Sequence, residues 1–275
     1  MPPSSRRGEL GLVVRGRMTS REPPKRRLAG RPLDKPGLGL TVEPQPDDVT
    51  CGPACLHAVY RYYGDHVDLD ALIADIHMLD EGGTLDVFLA NHALERGYRV
   101  TLYTYNLALF DPSWFVLKPE RIREKLIAQA RAKPTQKLRL ATRGYVEFLD
   151  RGGRLRLRDL ESRLLRRLLR RGPLITGLSA TYLYRSMREL PDTNEDDDVR
   201  GAPVGHFVVL TGYLPDRREV LVADPYLRNP FARTGLYAVR LQRLINAVLL
   251  GIVTYDANLL VIEPGRMAGK APERR

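Results

Sequence analysis

The chain is expected to be an α+β protein. Helical periodicity dominates from about residue 50 to 171, strand-like runs follow from residue 173 onward, and nothing repeats internally. That order places a helical half against an antiparallel sheet-bearing half, with a cleft between them. The first helix starts at Cys51, after a polar, Pro-containing loop. Thr50 suits the N-cap and Pro53 falls in the first turn, where its missing N–H is harmless. Ala54, Cys55, Ala58, Val59 and Tyr62 recur at helical spacing until Gly64 stops the run, so this helix should be buried. Further helices are expected over 69–78, 85–96, 120–132 and 157–171, with Gly97 closing the second of these and a strand over 98–105 after it. From Pro173 the strands are PLITGLSA, HFVVLTGYL, EVLVADPY, GLYAVR and NLLVIE.

Composition bounds the setting. The 275 residues are 43% hydrophobic and 28% charged, which is ordinary for a soluble globular chain, and no apolar run is long enough to span a membrane. The N-terminal stretch lacks the apolar core of a signal peptide, and Met18 offers an alternative start. Two cysteines are too few for a disulfide framework, so a reducing compartment, the cytoplasm, is expected. Of the formal net charge of +11, residues 1–37 hold +7, from ten Lys/Arg against three acids. With Pro, Gly and no apolar periodicity, this segment is expected to be a disordered basic tail. A folded domain over 38–265 and a short disordered tail over 266–275 complete the division. Nucleic-acid binding is expected at most weakly, through the basic tail.

A thiol becomes a useful nucleophile when its thiolate is stabilised, and the first turn of a helix does this through unpaired N–H groups and the positive end of the dipole. Cys51 has that position. Most free cysteines are simply small buried residues, and position alone would not separate Cys51 from them. Its company does: Gln45 six residues upstream, Gly52 immediately after, and Gly205-His206-Phe207 opening a hydrophobic strand.

Three blocks, QPDDVTCGPACLHAVYRYYG, GHFVVLTGY and VADPY, resemble in order and spacing the signatures of the bacteriocin-processing, double-glycine-leader cysteine peptidases. More broadly, they are similar to the peptidase C-thirty-nine-like group of the papain-like clan CA. The resemblance covers about residues 40–230. It implies a papain-like fold, with the nucleophile helix packed on a C-terminal sheet. It also implies Cys51 as nucleophile, His206 as general base and acid, Asp224 as the residue orienting the imidazole, and Gln45 as the oxyanion-hole side chain.

Each role also has a physical reason. An imidazolium at His206 would pair with a Cys51 thiolate, and a carboxylate at Asp224 would fix the tautomer and turn the other ring nitrogen to the sulfur. The Gln45 amide, with the Cys51 backbone N–H, would hold a developing oxyanion. Pro44 and Pro46 stiffen that loop. His206 and Asp224 must also project to the same side of their hairpin. A three-residue loop at 214–216 would put them directly opposite one another, whereas a two-residue loop at 216–217 would need a bulge; the three-residue loop is expected.

Other readings are weaker. His57, His66, His77 and His92 lack such context, and Cys55 reads as core. Cys51 and Cys55 with two histidines make a poor zinc signature, because no second cluster has ligand spacing. The acidic stretch 191–198 has Asp197 where a calcium loop needs Gly and Pro203 where it needs Glu, so it reads as a loop beside the cleft that favours basic groups in a substrate. The Arg-rich segment 157–171 reads as a solvated face.

The resemblance therefore implies a cysteine peptidase hydrolysing a peptide or isopeptide bond through a Cys51 acyl-enzyme, with a peptide or protein substrate and no cofactor. The sequence departs from the leader peptidases in showing no transporter spans or nucleotide-binding motif, and in a longer, more basic segment between Cys51 and His206. The alternatives are an amidase or acyltransferase using the same triad, and an inactive peptide-binding module on the same fold.

Overall fold

The computed structural model describes residues 30–34, 37–79, 82–133 and 135–265. Its centre is one eight-stranded sheet: β1 (Gly30–Pro32), β2 (Arg99–Thr104), β3 (Arg154–Arg156), β4 (Leu174–Ser179), β5 (Gly205–Leu214), β6 (Glu219–Ala223), β7 (Leu236–Arg240) and β8 (Asn258–Glu263). The spatial order is β1-β7-β6-β5-β4-β8-β2-β3, and every pairing is antiparallel except β2 with β3.

Period-two alternation sends each strand's apolar residues to two separate cores. Ile175, Phe207, Val209, Leu260 and Ile262 join one, with α1 (Cys51–Tyr62), α2 (Leu69–Asp75), α3 (Asp86–Glu95), α4 (Pro119–Ala132) and α5 (Gln136–Asp150). Leu174, Val208, Leu210, Leu259 and Val261 join the other, with α6 (Ser162–Leu169), α7 (Ala180–Tyr184) and α8 (Leu241–Leu250). The α+β class stands, and α1 packs on the C-terminal strands as expected. The two halves are less separate than their order along the chain suggests. The N-terminal part lends β2 and β3 to the sheet, and the C-terminal part supplies α7 and α8 to its second face beside α6.

Local differences have local causes. The helix expected over 157–171 starts only at Ser162, because the preceding RLRLR alternates: Leu155 is buried between exposed Arg154 and Arg156, and these three form β3. The helix expected to reach residue 78 ends at Asp75. Helices α5 and α8 were not anticipated. The first buries Leu138, Ala141, Tyr145 and Phe148 at helical spacing despite Gly144 at its middle. The boundary expected after residue 37 is corrected as well. Gly30–Pro32 pair with β7 as an edge strand, and Arg31 bonds Glu219 of β6 at 3.0 Å, so the sheet claims part of the basic segment. The rest of the expected N-terminal tail up to residue 29, with 35 and 36, lies outside the described residues, as does the expected tail over 266–275. Among the described residues no helix is long and apolar enough to cross a membrane.

Candidate active site

Helix α1 is buried from Cys51 through Tyr60, so its first turn is fixed on all sides. Thr50 occupies the N-cap position without capping the helix; its hydroxyl instead accepts from the Asp47 N–H at 3.4 Å, which folds the loop onto itself. The helix's first N–H groups thus receive no side-chain cap from Thr50. Cys51 is 8% exposed, and Cys55, one turn on, is 0% exposed. Burial pushes the Cys55 thiol well up, and nearby Cys51 and Asp224 push it in the same direction.

His206 is the second residue of β5, and its Nε2 bonds Asp224 Oδ1 at 2.8 Å. Nδ1 is the remaining ring nitrogen, and Cys51 lies near enough to the ring to act on its charge. Burial by itself would lower the imidazolium's pKa. The charges of Asp224 and Cys51 and their hydrogen bonds outweigh it and raise the ring from 6.5 to about 10.

The hairpin that joins these two residues meets the same-side condition by a different route from the expected one. Its loop is the four-residue Pro215–Arg218, because Leu214 pairs with Glu219. An even loop alone would put His206 and Asp224 on opposite faces. A register shift between Leu210 and Gly212, a bulge at Thr211, restores the parity. Val209 then pairs with Ala223, and continuing that register sets Asp224 beside Val208, so His206 reaches the carboxylate diagonally.

Asp224 is 0% exposed and fully partnered. Besides the imidazole it accepts the Tyr226 N–H at 2.9 Å, the Tyr184 hydroxyl at 2.6 Å and the Tyr237 hydroxyl at 2.7 Å. A buried carboxylate without such donors would be costly. Tyr184 of α7 and Tyr237 of β7 are thus positioning residues that sequence reasoning missed. Burial and the Asp224 charge push both phenols well up, so they remain donors.

Gln45 is placed nearby with its amide turned elsewhere. Its backbone N–H donates to Pro225 O at 3.1 Å, tying the loop to the segment after Asp224. Its side-chain Nε2 donates to Asp47 O at 2.7 Å, while its Oε1 is buried without a partner. The structure brings Cys51, His206 and Asp224 together, and Gln45 stands beside them with its donor occupied by its own loop.

His206 stands where two hollows meet. One, of about 380 Å³, is lined by Cys51, Gly82, Gly83, Thr84 and Asp256; the other, of about 780 Å³, by Gln45, Asp48, Tyr184 and Tyr226. Glu189, Asn194 and Gly205 border both, so the segment carrying the acidic stretch runs along the cleft. Only part of that stretch faces the cavity. Asp196 does, whereas Asp197 accepts from Val199, Arg200 and the Arg200 guanidinium inside its own turn. Elsewhere, His57 bonds Val67 O and His92 bonds the Tyr60 hydroxyl, while His77 packs on Phe88.

No protein-family model matches the chain, and no curated protein does. Solved structures similar to it include a double glycine motif protease from an AMS/PCAT transporter in complex with the leader peptide, at 15% identity, covering 85% of this chain and 98% of that one, TM-score 0.40. The peptidase domain of Streptococcus ComA, a bifunctional ABC transporter involved in a quorum-sensing pathway, is 13% identical over 82% of this chain and 98% of that one, TM-score 0.40. A C39-like peptidase of Bacillus anthracis, so described as putative, is 15% identical over 83% and 96%, TM-score 0.41. Likeness at this level is of coarse chain course alone.

Proposed function

We propose that this chain is a cysteine peptidase of the papain-like, C39-like kind that hydrolyses a peptide or isopeptide bond in a peptide or protein substrate. The supporting observation is the relay from Asp224 through His206 to Cys51: a four-donor carboxylate, an imidazole held at Nε2, and a thiol at the first position of a buried helix. Cys51 attacks the carbonyl carbon as a thiolate, and the C–N bond breaks as His206 gives its proton to the leaving amine. Neutral His206 then takes a proton from water, whose oxygen attacks the thioester; the acid leaves and Cys51 is regenerated. Gln45 serves as an oxyanion donor once its amide rotates off Asp47 O, beside the Cys51 N–H. A thiol working in this way is kept reduced in the cytoplasm.

The test is a comparison of protein termini in cells making the wild-type chain or Cys51→Ala. New termini that depend on Cys51 are expected. Identical termini in both, with the two proteins equally abundant, would contradict the reading.

A further inference from the structure

Beside the catalytic pair the cleft holds a second carboxyl with no use in the chemistry above. Asp256 lies between α8 and β8 and lines the same hollow as Cys51 and His206, yet is only 6% exposed. Two glycines on adjacent strands clear its place. A Cβ on Gly205 would fall 2.0 Å from Asp256 Oδ2, and one on Gly177 would fall 2.4 Å from its backbone oxygen. The residue before it, Tyr255, adopts a left-handed backbone (φ 71°), which costs an aromatic residue energy that the surrounding structure must offset. Gly205 of the Gly-His-Phe block is thus a glycine because Asp256 occupies its side-chain space, directly before His206.

This carboxyl has no ion-pair partner among the described residues, although Lys137 and His206 on the same hollow pull it toward the ionised form. Among the described residues no Lys, Arg or His nitrogen lies within 4 Å of it; Thr254 is a neutral neighbour, and the Lys137 ammonium on the same wall sits over the Tyr255 ring, 5.0 Å from its centroid. Other carboxyls stand near it, the closest of them held largely protonated near pH 7, since burial and Asp256 raise Asp86 to about 8. Behind Asp256 stands Asp86 of α3, 3% exposed, bonded to the Tyr145 hydroxyl through Oδ1 and with Oδ2 buried and unpartnered. Asp48 and Glu189 border the hollow in front. A buried carboxyl that opens on a cleft without an ion-pair partner favours an incoming cation.

We propose that Asp256 is the specificity-determining residue of this cleft, accepting the ammonium or guanidinium of a peptide substrate close to the bond that Cys51 attacks. The inference rests on the peptidase reading and supplies its substrate class: peptides carrying a positive charge next to the scissile bond. Burial raises the Asp256 carboxyl to about 7, against the opposing pull of Thr254, Lys137 and His206. Ionised Asp256 is the form that binds a cation, so preference for charged peptides rises as pH climbs through about 7. Asp48, Glu189, Lys137 and His206 also line this hollow and Asp86 is buried near Asp256, and Asp256→Asn separates their contribution from its own.

The test uses the full chain with Cys51→Ala, so that binding is read without turnover. C-terminally labelled peptides are compared by fluorescence anisotropy: one with lysine, one with norleucine in its place, and each with a free or acetylated N-terminus. The lysine and acetylation arms distinguish a side-chain cation from the terminal ammonium. A cationic peptide should bind roughly tenfold tighter than its neutral counterpart, the scale of a charge-assisted hydrogen bond. That margin should widen between pH 6 and 8 and disappear on adding Asp256→Asn. Equal binding of charged and neutral peptides at every pH would overturn the inference, as would a margin that survives Asp256→Asn. Should that variant not fold, Asp256→Ala in the same Cys51→Ala background takes its place. Neutral and charged peptides binding alike leaves the peptidase reading intact; no peptide binding at all overturns both.

Discussion

Cys51 and Cys55 are the same residue type on the same helix, one turn apart, and the fold treats them differently. Cys51 stands at the helix start, opens on a cleft and lies beside an imidazole. Cys55 is sealed in the core, where burial pushes its thiol well up and away from the thiolate form. Four residues of displacement along α1 thus separate a helix end that supplies N–H groups and a charge partner from a helix interior that supplies only packing.

The comparison breaks most sharply by deletion. Cys51→Ala should lower peptide cleavage by at least about 1000-fold. Cys55→Ala should leave turnover within a few-fold and cost about 1 kcal/mol of stability, read by urea unfolding. Next, His206→Ala should cost roughly 10²–10⁴ in turnover, because it removes both the thiolate's partner and the proton donor to the leaving amine. Gln45→Ala comes third, at about 10²-fold in kcat, on the condition that its amide leaves Asp47 O during reaction. An effect below threefold would mean that the Cys51 N–H works without it. Tyr237→Phe removes one of four donors to Asp224 and should cost about 1–3 kcal/mol of stability.

The smallest effect is in pH. His206 is raised from 6.5 to about 10, so the folded form holds its proton more tightly than the unfolded chain does. Its contribution to stability is therefore complete below about pH 6.5 and is lost as pH rises through about 10. The stability gap between the wild type and His206→Gln should shrink across that window. Because Cys51 helps hold the ring up, Cys51→Ala should lower the His206 titration seen by NMR.

Much of the arrangement was legible in the chain because its signals are local. The buried face of α1, the Gly64 and Gly97 stops and the strand runs of the C-terminal part depend on neighbours in sequence. The grouping of Cys51, His206 and Asp224 followed from short blocks read together. What escaped depends on distant contacts. The bulge at Thr211 changes hairpin parity without any turn residue to announce it, so the three-residue loop was the simpler reading. Tyr184 and Tyr237 reach Asp224 from 40 and 13 residues away. Strand β1 exists only because β7 offers an open edge to a short piece of a basic segment. The slot for Asp256 needs two glycines on different strands, Gly177 and Gly205, and neither alone marks it.

The proposed function requires that Cys51 be activated by its place on α1 and by His206. Alkylation by iodoacetamide near neutral pH, followed at both thiols by mass spectrometry in the wild type and in His206→Ala, tests this most directly. Cys51 should react roughly 100-fold faster than Cys55 in the wild type, with most of that margin gone in the variant. Equal, slow labelling of the two cysteines in the wild type would contradict it.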